Sequence, residues 1–163
     1  MAGKDKIHKT NAMRLLEAAG ISYGNSSYSY DESDLSGVNA AAELGVSPEI
    51  VFKTLVTRSE KNEFYVFVIP VAESLDLKKA AKVSGNKSIE MIHVKEIEGL
   101  TGYIRGGCSP IGMKKAFPTY IDETASLYEK IYFSAGKRGV QIVLEPDKLI
   151  EAANAEYADL IVY

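Results

Sequence analysis

The sequence is short of the residues on which most catalytic chemistry is built. It has 1 cysteine, Cys108, and 2 histidines, His8 and His93, in 163 residues. A lone cysteine cannot form an internal disulfide and fits a reducing compartment. A Cys/His zinc site or a His-based triad would draw on very few candidates, and the acidic Glu151, Glu156 and Asp159 read as a solvated face without metal-ligand spacing. Long apolar runs are missing too. Segments such as Tyr65–Val71 fall far below the roughly 20 residues of a membrane span, and the N-terminus lacks the apolar core of a signal peptide. A soluble cytoplasmic protein without membrane contact is expected. Charge of one sign is not in excess either: 19 Lys+Arg against 22 Asp+Glu leave a net −3. That balance excludes broad coating of polyanions and leaves room only for a local basic patch.

What is present suits one folded unit. Hydrophobic residues make up 46% and charged residues 25%, near the globular average, and the length matches a single domain of about 100–200 residues. No linker or solenoid-period repeat is visible. The expectation is a single domain over 1–163, with 1–8 and Lys9 as a frayed tail.

Thr10-Asn11 caps a helix through Met13, Leu15 and Leu16, stopped by Gly20. Ile21–Tyr30 reads as a strand, Asp31–Gly37 as a loop, Val38–Leu44 as a short helix, and Ser47-Pro48-Glu49 as a brief helical start. Val51–Thr57 and Glu63–Ile69 read as hairpin strands joined by Arg58–Asn62, the second apolar on both faces and so central. Ser74–Val83 is a helix with Leu75, Leu77, Ala80 and Ala81 inward. Ile89–Ile92 is a short strand that His93 follows, and Val94–Leu100 a helical turn. Strands follow at Thr119–Asp122, Lys130–Ser134 and Val140–Leu144, the last two joined by the turn Ala135–Gly139. Pro146 opens a final helix, and Tyr157–Val162 closes as an edge strand. The fold class is α+β, a mixed and largely antiparallel sheet flanked by helices.

Three features could carry chemistry. Lys53 shares a strand face with Leu55 and Thr57, so it either snorkels to water or meets an anionic or carbonyl group. The segment Gly106-Gly107-Cys108-Ser109-Pro110-Ile111-Gly112 with Lys114 and Lys115 is neither a Walker A motif nor a dinucleotide fingerprint. It is a structural turn or a backbone nest for an anion or carbonyl oxygen. Ser134-Ala-Gly-Lys-Arg-Gly139 is a charged hairpin turn or a phosphate or ribose contact. Cys108 as nucleophile would need a base, and no histidine is near it in sequence.

Together these segments resemble one family. Lys9-Thr-Asn-Ala-Met-Arg-Leu-Leu16, Val51-Phe-Lys-Thr-Leu55, Leu75-Asp-Leu-Lys-Lys79, Gly102-Tyr-x-x-Gly-Gly-x-Ser-Pro-x-Gly112 and Ile131-Tyr-x-Ser-x-Gly-Lys-Arg-Gly139 follow the order and spacing of YbaK/EbsC-type aminoacyl-tRNA editing proteins. The resemblance implies a fold related to the editing domain of bacterial prolyl-tRNA synthetases. It also implies hydrolysis of a mischarged aminoacyl ester, Cys-tRNA(Pro) foremost, without metal or cofactor. Alternatives are a deacylase for another small amino acid such as alanine, or a non-catalytic tRNA- or ligand-binding module.

By the same resemblance, Lys53, Gly106 and Gly107 are catalytic, the lysine and nearby backbone N–H groups polarising the carbonyl. Tyr28, Thr54, Ser109, Ser134, Gly136 and Gln141 bind substrate, and Arg105, Lys114, Lys115, Lys137 and Arg138 grip the tRNA end. The nucleophile is water or the substrate's own thiol. The tRNA acceptor end, that of proline tRNA above all, is the implied partner, with prolyl-tRNA synthetase as a further one that no residue pattern reads. Two positions depart from the family pattern: Ala135 where many relatives have Gly, and Gln141 where an aspartate is usual.

Overall fold

The computed structural model describes residues 9–163; the tail expected over 1–8, with His8, lies outside the described residues. Lys9, expected to fray, instead pairs with Glu17 at 2.7 Å. Helix α1 (Asn11–Ala18) starts where the Thr10 hydroxyl accepts the Met13 N–H at 3.2 Å, and it buries Ala12, Met13 and Leu16.

The strands are β1 (Gly24–Ser27), β2 (Phe52–Ser59), β3 (Phe64–Pro70), β4 (Ile89–Met91), β5 (Thr119–Asp122), β6 (Ile131–Lys137), β7 (Val140–Leu144) and β8 (Glu156–Ala158). They form two sheets where one was expected. The smaller has the order β1-β7-β6 and is antiparallel throughout. The larger has the order β4-β2-β3-β5-β8; β4, β2 and β3 pair antiparallel, while β5 and β8 join in parallel. A single parallel bridge from Val51 to Tyr132 links the sheets just before β2. Helices α2 (Gly37–Leu44), α3 (Leu77–Ser84), α4 (Val94–Thr101) and α5 (Pro146–Ala153) complete an α+β fold, with 3-10 turns at Pro48–Ile50 and Glu123–Leu127.

The core explains the pairing. Strand β3 is the middle strand and alternates as a two-sided strand must. Val66 and Val68 enter a cluster with Phe52, Val56, Phe133 and Ile142 that cements the two sheets together. Phe67 and Ile69 enter a second cluster, with Ala80 and Ala81 of α3 and with Leu160. The β2 faces divide as expected: Phe52 and Val56 lie in the first cluster, and Leu55 packs on the second.

Several boundaries differ from the sequence reading. The first strand covers only Gly24–Ser27; Tyr28 donates its N–H to the Gly139 carbonyl at 2.9 Å and the chain then departs. Strand β2 runs through Ser59, whose hydroxyl accepts the Lys61 and Glu63 N–H groups and tightens the turn. Helix α3 starts at Leu77 because the Asp76 carboxylate caps Lys78 and Lys79; Leu75 bridges Ile161 instead, and Leu77 is 43% exposed. Strand β6 continues through a bulge between Ser134 and Lys137, which shrinks the expected turn to Arg138-Gly139. The closing strand is Glu156–Ala158, with Ile161 in an isolated bridge. His93 is the N-cap residue of α4, its N–H donating to Glu96 at 2.9 Å. Among the described residues no helix is long and apolar enough to cross a membrane, and no three His, Cys, Asp or Glu side chains are grouped to hold a metal ion.

Candidate active site

A cavity of about 430 Å³ opens where β2, α2, α4, the smaller sheet and the irregular segment after Gly102 converge. The size falls in the usual range for small-molecule sites, about 300–1,000 Å³. Among the residues read from the sequence as site candidates, Lys53, Thr54, Tyr28, Ser134, Gln141, Arg105 and Gly106 line it. Chain segments far apart in sequence thus meet there. The β1-β7-β6 register brings Gln141 level with Ser26 on one side and Ser134 on the other.

Lys53 is half-buried on the wall. Burial pushes its ammonium pKa below the usual lysine value, and the Glu73 carboxylate opposes that shift only in part. The other charged residue lining the cavity is Arg105, also cationic. A cavity lined, among the described residues, by two cations and no carboxylate favours ligands rich in carbonyl or phosphate oxygens. Two further polar atoms wait in the walls: Thr54 Oγ1 and Gln141 Oε1 are buried and have no hydrogen-bond partner among the described residues. A buried acceptor is costly to leave without a partner, so each of these atoms calls for one from water or a ligand in the cavity. The Ser134 hydroxyl accepts the Gly136 N–H at 3.1 Å, which leaves its proton free to donate.

The glycine pair divides into two roles. Gly106 lines the cavity at φ 82, a backbone conformation that favours glycine, and its N–H has no backbone partner among the described residues. Gly107 lies behind the wall, and its N–H is already engaged, donating to the Ile104 carbonyl at 2.9 Å. It cannot serve an oxyanion, so the expected donor pair reduces to the Gly106 amide and its other neighbours.

The remaining candidates do not line the cavity. Ser109 is fully buried, and its hydroxyl accepts the Ile111 N–H at 3.3 Å, which makes it a turn-former. Gly136 packs under the Tyr103 ring: a Cβ there would sit 2.7 Å from Tyr103 Cε1. Lys114 lies along Gly102 and reaches the Gly99 carbonyl at 3.4 Å, at the end of α4. Lys115 faces a separate hollow beside Leu15 and Ala152. Lys137 is exposed at the hairpin, and Arg138 turns inward to the Arg105 carbonyl.

Sequence reading missed the apolar wall of Met91, Ile92, Val94 and Ile97, and the cavity edge formed by Ser36, Gly37 and Ala40 at the start of α2. The signal for α2 was present: Ser36 caps Asn39, and small residues let the helix approach Val71, whose Cγ1 would lie 2.2 Å from a Cβ at Gly37. Cys108 also lines the cavity, but burial pushes its thiol up to about 11, with a hydrogen bond from Thr101 opposing in part. At neutral pH it is a thiol and not a nucleophilic thiolate. Cys108→Ser is accordingly expected to keep deacylation within about threefold of the parent, as a packing change of one polar atom; inactivation in a release assay would return the thiol to the chemistry.

Residues 35–152 match the family model of the aminoacyl-tRNA editing domain. The chain belongs to that family. In this editing protein the match takes in both sheets except β1 and β8. A relative from Enterococcus faecalis, named "Putative Cys-tRNA(Pro)/Cys-tRNA(Cys) deacylase EbsC", is 49% identical over 160 residues, 98% of each chain. A solved structure described as "a putative trans-editing enzyme for prolyl tRNA synthetase" superposes with a TM-score of 0.82 at 26% identity, covering 94% of this chain and 96% of that one. A solved hypothetical protein at 24% identity shares the fold, with a TM-score of 0.85 over 94% of this chain and 100% of its own.

Proposed function

We propose that this editing protein is a trans-acting deacylase that hydrolyses mischarged aminoacyl-tRNA, with Cys-tRNA(Pro) as its substrate and the whole chain as one catalytic unit. The observation that carries the reading is a cavity whose charged lining residues among those described, Lys53 and Arg105, are both cationic, beside a Gly106 amide that has no backbone partner among the described residues. The family match and the deacylase named as a 49% identical relative support it.

An aminoacyl ester is already activated, so placement and carbonyl polarisation supply much of the required acceleration. In this reading Lys53 donates to the ester carbonyl or the terminal phosphate, and the Gly106 N–H meets the oxygen on which charge develops. Water, or the cysteinyl thiol of the substrate, bonds to the carbonyl carbon and gives up its proton; the bond to the ribose oxygen breaks, and that oxygen takes the proton, the thiol route releasing a cyclic thioester that water then opens to cysteine. Tyr28, Thr54, Ser134 and Gln141 hold the aminoacyl group, and Arg105 and Lys137 meet the tRNA end. The proline tRNA acceptor end is the proposed partner, prolyl-tRNA synthetase a second one, and the cytoplasm the proposed location.

The test is release of amino acid from purified Cys-tRNA(Pro), Ala-tRNA(Pro) and Pro-tRNA(Pro). Cysteine release with prolyl-tRNA spared is expected. Alanine release alone would move the substrate, and binding without turnover on all three would overturn the enzyme reading.

Gln141 gives a second check. Gln141→Leu removes a buried acceptor that lacks a partner among the described residues, so the melting temperature is expected to rise. Loss of one neutral substrate hydrogen bond is expected to lower kcat/KM about two- to tenfold. Unchanged kcat/KM would remove the Gln141 amide from the substrate contacts.

A further inference from the structure

Arg138 sits on the hairpin tip between β6 and β7, where a surface cation beside Lys137 would be read as a phosphate grip. Its side chain does something else. Arg138 Nε donates to the Arg105 carbonyl at 2.8 Å, across 33 residues of sequence. Its guanidinium lies 3.7 Å from the exposed Glu32 carboxylate, and its side chain is only 21% exposed. The Arg105–Gly107 turn rests on the same tip. A Cβ at Gly107 would lie 3.0 Å from the Arg138 nitrogen and 3.2 Å from the Lys137 carbonyl carbon, and a Cβ at Gly106 would lie 3.5 Å from Arg138 Nε. Tyr103 braces the segment from below: its hydroxyl donates to the Ile111 carbonyl at 2.5 Å, and its ring covers Gly136.

A planar guanidinium that is mostly covered and bonded to a backbone carbonyl has lost much of its freedom to follow a phosphate. The carbonyl it holds belongs to the residue before Gly106, on the cavity wall. We infer that Arg138 is a positioning residue: its guanidinium clamps the Arg105–Gly107 turn to the hairpin tip and so fixes where Gly106 presents its N–H to the cavity. The inference rests on the deacylase reading for its kinetic effect but not for its structural one.

The single cysteine supplies a probe that needs no activity. Cys108 follows the clamped turn and lines the cavity, so its rate of alkylation by iodoacetamide reports whether the turn stays seated. Arg138→Ala and Arg138→Lys are compared with the parent chain for melting temperature, Cys108 alkylation, kcat, KM and the slope of log affinity for tRNA against log salt. If Arg138 positions the turn, both variants stay folded and alkylate at least about fivefold faster. Both also lose at least about tenfold in kcat, because reacting groups displaced by a fraction of an ångström lose rate steeply. KM and the salt slope stay near those of the parent, and lysine does not rescue, since it lacks the fork that reaches the carbonyl.

The opposite pattern overturns the inference: unchanged alkylation and kcat, a salt slope reduced by about one in Arg138→Ala, and restored affinity in Arg138→Lys, as a phosphate contact would give. Parental behaviour in every readout overturns it too. If the parent chain deacylates nothing, the proposed function fails, while the alkylation rates still decide whether Arg138 seats the turn.

Discussion

Lys53→Ala is expected to lower deacylation of Cys-tRNA(Pro) by at least about 100-fold, the usual cost of losing a preorganised charge donor at a developing oxyanion. The folded protein should not suffer. Burial holds the Lys53 pKa in the folded state below its unfolded value near 10.5, so the charged form is disfavoured by folding. That penalty is fully present below the folded pKa and is relieved as pH rises toward 10.5. Removing the ammonium at neutral pH therefore leaves the melting temperature equal or higher, while the activity disappears. Parent activity is also expected to fall as pH climbs through the lowered Lys53 pKa, at a lower pH than an exposed lysine would give. A fully active Lys53→Ala chain, or a parent whose rate is flat up to pH values near 10, would remove the lysine from the mechanism.

The Lys53 strand shows how far a sequence can be read and where reading stops. Its alternation placed Phe52 and Val56 on one face and Leu55 on the other, and the two clusters divide along that line. β3 was legible for the same reason, since Val66 and Phe67 had to point to opposite buried layers. The β2–β3 hairpin is local, and its turn is written in adjacent residues. Parallel pairing is not local. The contacts of β3 with β5 and of β5 with β8 join Val68 to Ile121 and Ile121 to Tyr157. No pattern within any one strand specifies its neighbour, nor that β1, β7 and β6 pair apart from the rest, so one mixed sheet was expected where two are found.

The site follows the same division. Residue types and spacing brought Lys53 and Gly106 forward as candidates, the family resemblance added Gln141, and all three line one cavity. Which way a side chain turns depends on tertiary contacts. Arg138 and Lys137 are adjacent basic residues with no local difference, yet one bonds the Arg105 carbonyl while the other is exposed. Likewise Ser109 follows a glycine pair and Ser134 precedes a bulge, both beside irregular backbone, and only the second lies at the cavity.

Gly107→Ala is the second large effect expected, with kcat/KM lowered by up to about 100-fold and the fold retained. Gly107 is not held in the left-handed region, so the substitution adds no backbone strain of that kind. The obstacle is steric. An alanine Cβ would sit 3.0 Å from the Arg138 nitrogen, 3.2 Å from the Lys137 carbonyl carbon and 3.3 Å from Lys137 Cα. All three are backbone atoms of a hydrogen-bonded hairpin, so the turn carrying Gly106 must move away from it. A displacement of about 1 Å in a group that polarises the substrate is enough to cost about two orders of magnitude in rate.

Gly99→Ala supplies the matched control. Gly99 is an exposed position inside α4 with nothing within 4 Å of the added Cβ. That change should leave kcat/KM unaltered and raise stability by about 0.5–1 kcal/mol through helix propensity. Measured side by side, the two alanines separate a packed turn behind the cavity from a helix position where the added Cβ meets no neighbouring element. Equal activity in both would mean that the hairpin tip yields without moving the turn, and that the close approach at Gly107 has no part in placing Gly106.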